Sequence, residues 1–338
     1  MPRSRYLLTT RPGATARGTA LCFALLAVPA SARDLAPAWS VASAPVIEAR
    51  TYTEGPVFGA DGSLFVSEPA TGTVTRHRAN GERETFVERR PGANGHAILE
   101  DGTHVVMSRP AILWLSDAGE VLHEISEHDG EPFVFPNDLA PDGAGGFWFT
   151  DSGSRTEATG AIYHVDAERT VRRLSSGLAF PNGVIAHEGQ LYVSQSQAND
   201  LLVFDIGANR TIANKRVLAR FVGEELDDAK AAPDGMCLGP GGRLWVTHNG
   251  TGMIRVLDLS GRPIASYRTD LLTNSNCAFG PDGALYVTGS FGFETDPGGV
   301  VRLMPFAIDG PASDERVPPS PTRPTFPSSP PSTLETTR

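Results

Sequence analysis

The chain has 338 residues, 40% apolar and 20% charged, enough to bury a sizeable core in one large domain or two ordinary ones. Its 39 acidic and 29 basic residues give a formal charge of −10, which argues against a basic nucleic-acid groove or an anionic membrane surface as its partner.

Residues 1–32 read as an export signal. Arg3, Arg5, Arg11 and Arg17 make a basic opening with no acid, Thr19 to Val28 is a short apolar run, and Ala30-Ser31-Ala32 supplies small residues for cleavage. The run is too short to span a bilayer, so the expected location is the periplasm or the medium. Residues 33–44 are expected to be a linker. Residues 309–338, rich in Pro, Ser and Thr, cannot bury enough apolar surface to offset their ordering entropy and are expected to form a disordered tail.

Between them, residues 45–308 carry a six-fold repeat. Its heads are EGPVFGADGSLFVSE from Glu54, NGHAILEDGTHVVMSR from Asn94 and NDLAPDGAGGFWFTDS from Asn137. They continue as NGVIAHEGQLYVSQS from Asn182, DGMCLGPGGRLWVTHN from Asp234 and NCAFGPDGALYVTGS from Asn276. Spacings of 40, 43, 45, 52 and 42 residues match the period of a four-stranded propeller blade. Each unit starts with a polar head and a short apolar run, turns at Asp-Gly, Glu-Gly or Gly-Gly, and continues into two more strands. The sixth unit runs out after its third strand, and Pro45 to Arg50 stands where the missing outer strand belongs. The predicted fold is all-β: a six-bladed β-propeller closed by an N-terminal strand.

In such a ring the innermost strands run the same way, so Glu54, Asn94, Asn137, Asn182, Asp234 and Asn276 converge on one end of the channel. Two carboxylates and four amides offer only oxygen, the donor set of a hard divalent cation. Calcium is the expected ion, with Mg2+, Mn2+ or Zn2+ as alternatives. Cys22 lies in the leader; Cys237 and Cys277, each in an apolar strand, read as buried free thiols.

The runs Glu54-Gly-Pro-Val-Phe, Pro136-Asn137-Asp138, Phe147-Trp-Phe-Thr-Asp151, Pro181-Asn182-Gly183 and Pro233-Asp234-Gly-Met-Cys237 resemble the SMP-30/gluconolactonase/luciferin-regenerating-enzyme family, in its bacterial lactonase branch. The resemblance implies a calcium-centred hydrolase opening a small lactone or ester. It makes Glu54, Asn182 and Asp234 metal ligands, and Asn137 a ligand or substrate contact. The animal sugar-lactonase branch has an arginine where Phe135 stands, so a more apolar pocket is expected here.

In the expected mechanism the cation polarises the lactone carbonyl, and Asp234 or Glu54 activates water, or Asp234 attacks directly. Phosphotriesterase-like or esterase activity at the same metal, and a non-catalytic binding module, are the competing readings. Residues ending the second strands are expected around the site: Asp151, Gln195, His248, Asn249 and Ser290, with Asn94 and Asn276 completing the inner ring. His248 is a candidate base or orienter, and the acid-rich stretch from Val222 to Pro233 a candidate lid or outer cation site.

Overall fold

Short β-branched and aromatic runs separated by glycine-containing turns pair with their chain neighbours as antiparallel meanders. The computed structural model describes residues 38–40, 43–88, 92–221 and 231–304, and within these it is an all-β propeller of six four-stranded blades. The expected leader (1–32), the expected tail (309–338) and residues 222–230 of the acid-rich stretch lie outside the described residues.

The innermost strands are Glu54–Phe58, Ala93–Ile98, Pro136–Pro141, Pro181–His187, Ala232–Gly239 and Thr273–Phe279, for blades one to six. Blade six takes its outer strand from the start of the domain. Ala44–Ala49 runs antiparallel to Gly298–Leu303, with Pro45 opposite Val301. The ring therefore closes as the repeat predicts. The expected 33–44 linker is corrected in one respect: Ala38–Ser40 adds a fifth strand to blade five, parallel to Pro263–Arg268. Three residues are too few to carry an alternation that a sequence reading could detect.

Apolar side chains of each blade meet those of the next, giving six core clusters around the ring. The largest, between blades two and three, includes Val105, Ile112, Trp114, Phe133, Phe147 and Phe149. Blades five and six share Trp245, Ile254, Tyr267, Leu285 and Val301. A disulfide joins Cys237 to Cys277, with Cα atoms 5.6 Å apart. This corrects the free-thiol reading. The cysteines lie 40 residues apart, one blade period, and only the lateral approach of two inner strands brings them together.

That approach is close at every head followed by glycine. A Cβ at Gly55, where φ is +48°, would lie 2.2 Å from the Asn94 carbonyl oxygen, and one at Gly183 would lie 2.7 Å from that of Asp234. One at Gly235 would strike the Asn276 side chain at 2.2 Å. Only glycine admits such contact, which explains the acid-or-amide-then-glycine pairs at four heads.

All six inner strands also carry an extra residue at the head, where pairing to the second strand slips between Glu54 and Val57, Ala93 and His96, Pro136 and Leu139, Pro181 and Val184, Pro233 and Met236, and Asn274 and Cys277. A bulge of this kind re-aims a side chain out of the two-residue alternation and frees a backbone group from its own ladder. Hydroxyls of the preceding blade's second strand accommodate the freed carbonyls. Thr150 Oγ1 donates to the Asn182 carbonyl at 2.6 Å, Ser194 Oγ to that of Asp234 at 2.6 Å, and Thr247 Oγ1 to that of Ser275 at 2.7 Å.

Thr150→Val keeps the shape but leaves the buried Asn182 carbonyl without its donor, a cost of about 1–3 kcal/mol. The variant is expected to melt a few degrees below the parent protein in a thermal denaturation followed by circular dichroism. An unchanged melting temperature would remove the hydroxyl from the list of what holds blades three and four together.

Candidate active site

The bulges turn the six head residues inward, and all six side chains are buried. Five of them, Glu54, Asn94, Asn137, Asn182 and Asp234, line or floor a cavity of about 490 Å³ at one end of the channel. Asn276 does not reach it. Its Nδ2 points to Asp138 Oδ2 at 3.4 Å, and its Oδ1 accepts from the Cys277 backbone.

Two amides have their orientation fixed by the network around them. Ser152 Oγ donates its proton to the Pro181 carbonyl (2.7 Å), so it can only accept from Asn137 Nδ2 (2.9 Å). Ser196 Oγ donates to the Pro233 carbonyl (2.8 Å) and accepts from Asn182 Nδ2 (3.3 Å). The Asn137 amide nitrogen therefore faces outward and its oxygen faces the ring, whereas the Asn182 amide donates to Asp234 as well as to Ser196. Asn94 donates through Nδ2 to Asn137 Oδ1 at 3.3 Å, while its own buried Oδ1 has no hydrogen-bond partner among the described residues.

The carboxylates share one phenol. The Tyr52 hydroxyl lies 3.2 Å from Asp234 Oδ2 and 3.5 Å from Glu54 Oε1, and Asn249 Nδ2 donates both to it (3.1 Å) and to Asp234 Oδ2 (2.9 Å). One phenolic proton cannot satisfy two acids. Burial pushes the Asp234 carboxyl up to about 7, with the charge of Glu294 adding to the rise and the Asn249 and Tyr52 hydrogen bonds opposing it. Burial, then the charges of Asp234 and Asp138, raise Glu54 well above the usual carboxylate range. Asp138, buried beside the ring, is pushed by burial to about 6.

Carboxylates held this way, the Asn137 amide oxygen turned inward and an orphaned Asn94 oxygen together fit a hard divalent cation. Glu54, Asn137, Asn182 and Asp234 are the side chains that would hold it, and two carboxylates would balance its charge. Among the described residues no cluster of three or more His, Cys, Asp and Glu side chains is arranged for a metal, so amide oxygens are essential to this donor set.

Loops joining second to third strands open onto the cavity, but the residues predicted from that position mostly build loops. Asp151 accepts from the Val134 and Phe135 backbone amides at 2.9 and 2.7 Å, thereby fixing the segment that carries Phe135 into the cavity. Gln195 accepts from the Ala179 amide and donates to Asp200. Ser290 donates to the Phe293 carbonyl. His248 is buried behind the wall, against Phe221 and Asn199, and burial drives its imidazole down to about 3. It does not line the cavity, whereas the adjacent Asn249 does.

The walls also contain residues that the repeat alignment passed over: Tyr52, Arg109, Arg155, Phe180, Gln197 and Glu294. Tyr52 was legible in one respect, standing two residues before Glu54 and so on the same side of an extended strand. The expectation of a more apolar pocket is corrected, because Phe135 lies under a guanidinium. The Arg109 Cζ sits 3.8 Å from its ring centroid.

The raised Asp234 carboxyl has a consequence for the cation-free protein. An acid whose folded-state pKa lies above its unfolded value, about 4, contributes most stability below that value. The contribution is lost as pH rises through about 7. Asp234→Asn removes that penalty. With a chelator present, the variant is expected to melt several degrees above the parent at pH 8, the gap shrinking towards pH 4. A variant that melts lower at pH 8, or a gap independent of pH, contradicts this.

The sequence comparisons agree with this geometry. Residues 52–291 match the family model of the SMP-30/gluconolactonase/LRE-like region. A gluconolactonase of Zymomonas mobilis is 24% identical over 287 residues, covering 71% of this chain and 76% of its own length. Regucalcin of Sus scrofa is 26% identical over 246 residues, covering 67% and 78%. Among solved structures, a Xanthomonas campestris gluconolactonase superposes with a TM-score of 0.65 at 24% identity, over 77% of this chain and 89% of that one. A calcium-binding regucalcin from Agrobacterium tumefaciens gives 0.66 at 20% identity, over 80% and 95%. At these identities the structural likeness speaks for the fold, while the family match spans most of the propeller. The chain belongs to the SMP-30/gluconolactonase/LRE-like family.

Proposed function

We propose that the protein is an exported, divalent-cation-dependent lactonase that uses calcium and acts at the cavity floored by Glu54, Asn137, Asn182 and Asp234. The observation that carries this reading is the pair of buried carboxylates sharing one phenol beneath an open cavity, in a ring where the Asn137 amide oxygen is turned inward. A plain scaffold has no need to bury two acids that, among the described residues, have no basic partner. The names of the gluconolactonase relatives support a lactone as substrate.

When bound, the cation supplies Lewis-acid polarisation of the ester carbonyl. Asp234 is held through Oδ2 by Asn249 and Tyr52, which leaves Oδ1 to take a proton from the attacking water. As the tetrahedral species collapses, the acyl C–O bond breaks and Asp234 returns that proton to the ring oxygen. The product is the open hydroxy acid, and the carboxylate is regenerated. Tyr52 and Asn249 position Asp234 throughout.

Export rests on the leader-like residues 1–32 and on the Cys237–Cys277 disulfide, a bond that persists in oxidising compartments. Mass spectrometry of protein recovered from the periplasm or medium is expected to give an N-terminus at or near Arg33; a cytoplasmic protein retaining residues 1–32 refutes export.

The reaction is tested with a lactone panel assayed with calcium and with chelator. Hydrolysis is expected only with the cation. Asp234→Asn at saturating calcium is expected to lose about a hundredfold to ten-thousandfold in rate, with its circular dichroism spectrum unchanged. Near-parental turnover by the calcium-loaded variant removes Asp234 from catalysis. Absence of hydrolysis by the parent protein favours the binding-module reading.

A further inference from the structure

The cavity has two electrical halves. Glu54, Asp234 and Glu294 come from the neighbouring blades one, five and six, and Arg109 and Arg155 from blades two and three. The guanidiniums share an aromatic support. Arg109 Cζ is 3.8 Å from the Phe135 ring centroid; Arg155 Cζ is 5.9 Å from that ring and 5.1 Å from the Phe180 ring. Phe135 and Phe180 meet edge to face at 5.7 Å, and both are buried. The Asp151 carboxylate pins the Phe135 backbone, so this support is fixed from below.

A guanidinium lying over a ring still presents its N–H edge, whose forked geometry suits a two-oxygen anion. Among the described residues neither arginine makes an ion pair or donates a side-chain hydrogen bond, although the chain has ten more acidic than basic residues in all. Desolvation, and then the charge of Arg155, lower the Arg109 guanidinium. Two cations are thus held close enough to repel, beside a cavity and, among the described residues, without a counter-ion.

We infer that Arg109 and Arg155 form an oxyanion-binding subsite, selecting a lactone that bears a carboxylate or a phosphate group. The reaction rests on the lactonase reading above; binding of the anion does not. A neutral polyhydroxy lactone would leave both guanidiniums without a charged partner. An anionic one places its charge against the arginines and away from the acidic floor, which orients the ester towards Asp234.

Two experiments separate the inference from the reading beneath it. In the first, calcium-loaded protein is given lactones of one ring size carrying a carboxylate, a phosphate ester or a methyl ester. Either anionic lactone is expected to exceed the uncharged one in kcat/KM by about ten- to a hundredfold, the worth of hydrogen bonds to a charged group. The better of the two identifies the anion. In the Arg109→Gln/Arg155→Gln variant the ratio of charged to uncharged substrate is expected to fall to near one, chiefly through KM. No preference in the parent, or a preference that survives both substitutions, overturns the subsite.

In the second, propionate and methylphosphonate are titrated calorimetrically into the calcium-loaded parent and the double variant. Saturable binding by the parent that is lost in the variant supports the subsite even if no lactone is hydrolysed, in which case only the lactonase reading fails. No binding by the parent, or equal binding by both proteins, overturns the subsite whatever the activity.

Discussion

Six strands approach one axis so closely that in four blades a Cβ after the head residue would strike the next strand. Glycine after the head residue removes the Cβ at Gly55, Gly95, Gly183 and Gly235, where one would lie 2.2 to 2.7 Å from a neighbouring atom. The bulge at every head then turns the acid or amide towards the axis, and hydroxyls such as Thr150 and Ser194 take up carbonyls that the bulge frees. Closure of the ring and delivery of side-chain oxygens to the axis therefore follow from a single steric requirement. The residue that must be small lies beside the acid or amide that faces the axis.

The same closure creates the electrostatics. Glu54, Asp138 and Asp234 are withdrawn from water, and each is raised above the ordinary carboxylate range, with burial as the largest cause. Charges left so close favour protonation, or a cation that neutralises them. Asn249 and Tyr52 resist full protonation of Asp234 by donating to Oδ2, which keeps one carboxylate oxygen available to the ring. A side chain in this state can gain or lose a proton near neutrality, as a general base must.

The fold was legible because a blade is a local object. Its turns, alternation and spacing recur six times, and the unpaired sixth unit pointed to the strand at Ala44–Ala49. The floor of the cavity was legible for the same reason: a head position repeated six times stands out from ordinary turn residues. Its walls were legible only at Phe135 and Asn249. Arg109, Arg155, Gln197 and Glu294 belong to loops of different length that share no register, so the repeat pointed two to four residues early, to Asp151, Gln195 and Ser290. The disulfide was hidden likewise, since Cys237 and Cys277 meet through the approach of two blades and not through any local pattern.

Departures from the repeat are informative in this light. Glycine follows the head in blades one, two, four and five, but Asp138 follows Asn137 in blade three and Cys277 follows Asn276 in blade six. In both blades a side chain uses the space that glycine clears in the preceding blade, Asp138 itself in blade three and the head residue Asn276 in blade six. The Asp138 carboxylate occupies the clearance over Gly95, where an added Cβ would lie 2.8 Å from its Oδ1, and Asn276 covers Gly235. Asn276 then reaches Asp138 across the channel at 3.4 Å. The two blades that break the rule are thus connected below the cavity floor, and a third buried carboxylate is held near Glu54, raising its proton affinity further. A nearly symmetric scaffold acquires an asymmetric field this way: four blades satisfy the steric requirement with glycine, and the remaining two fill the cleared space with chemistry.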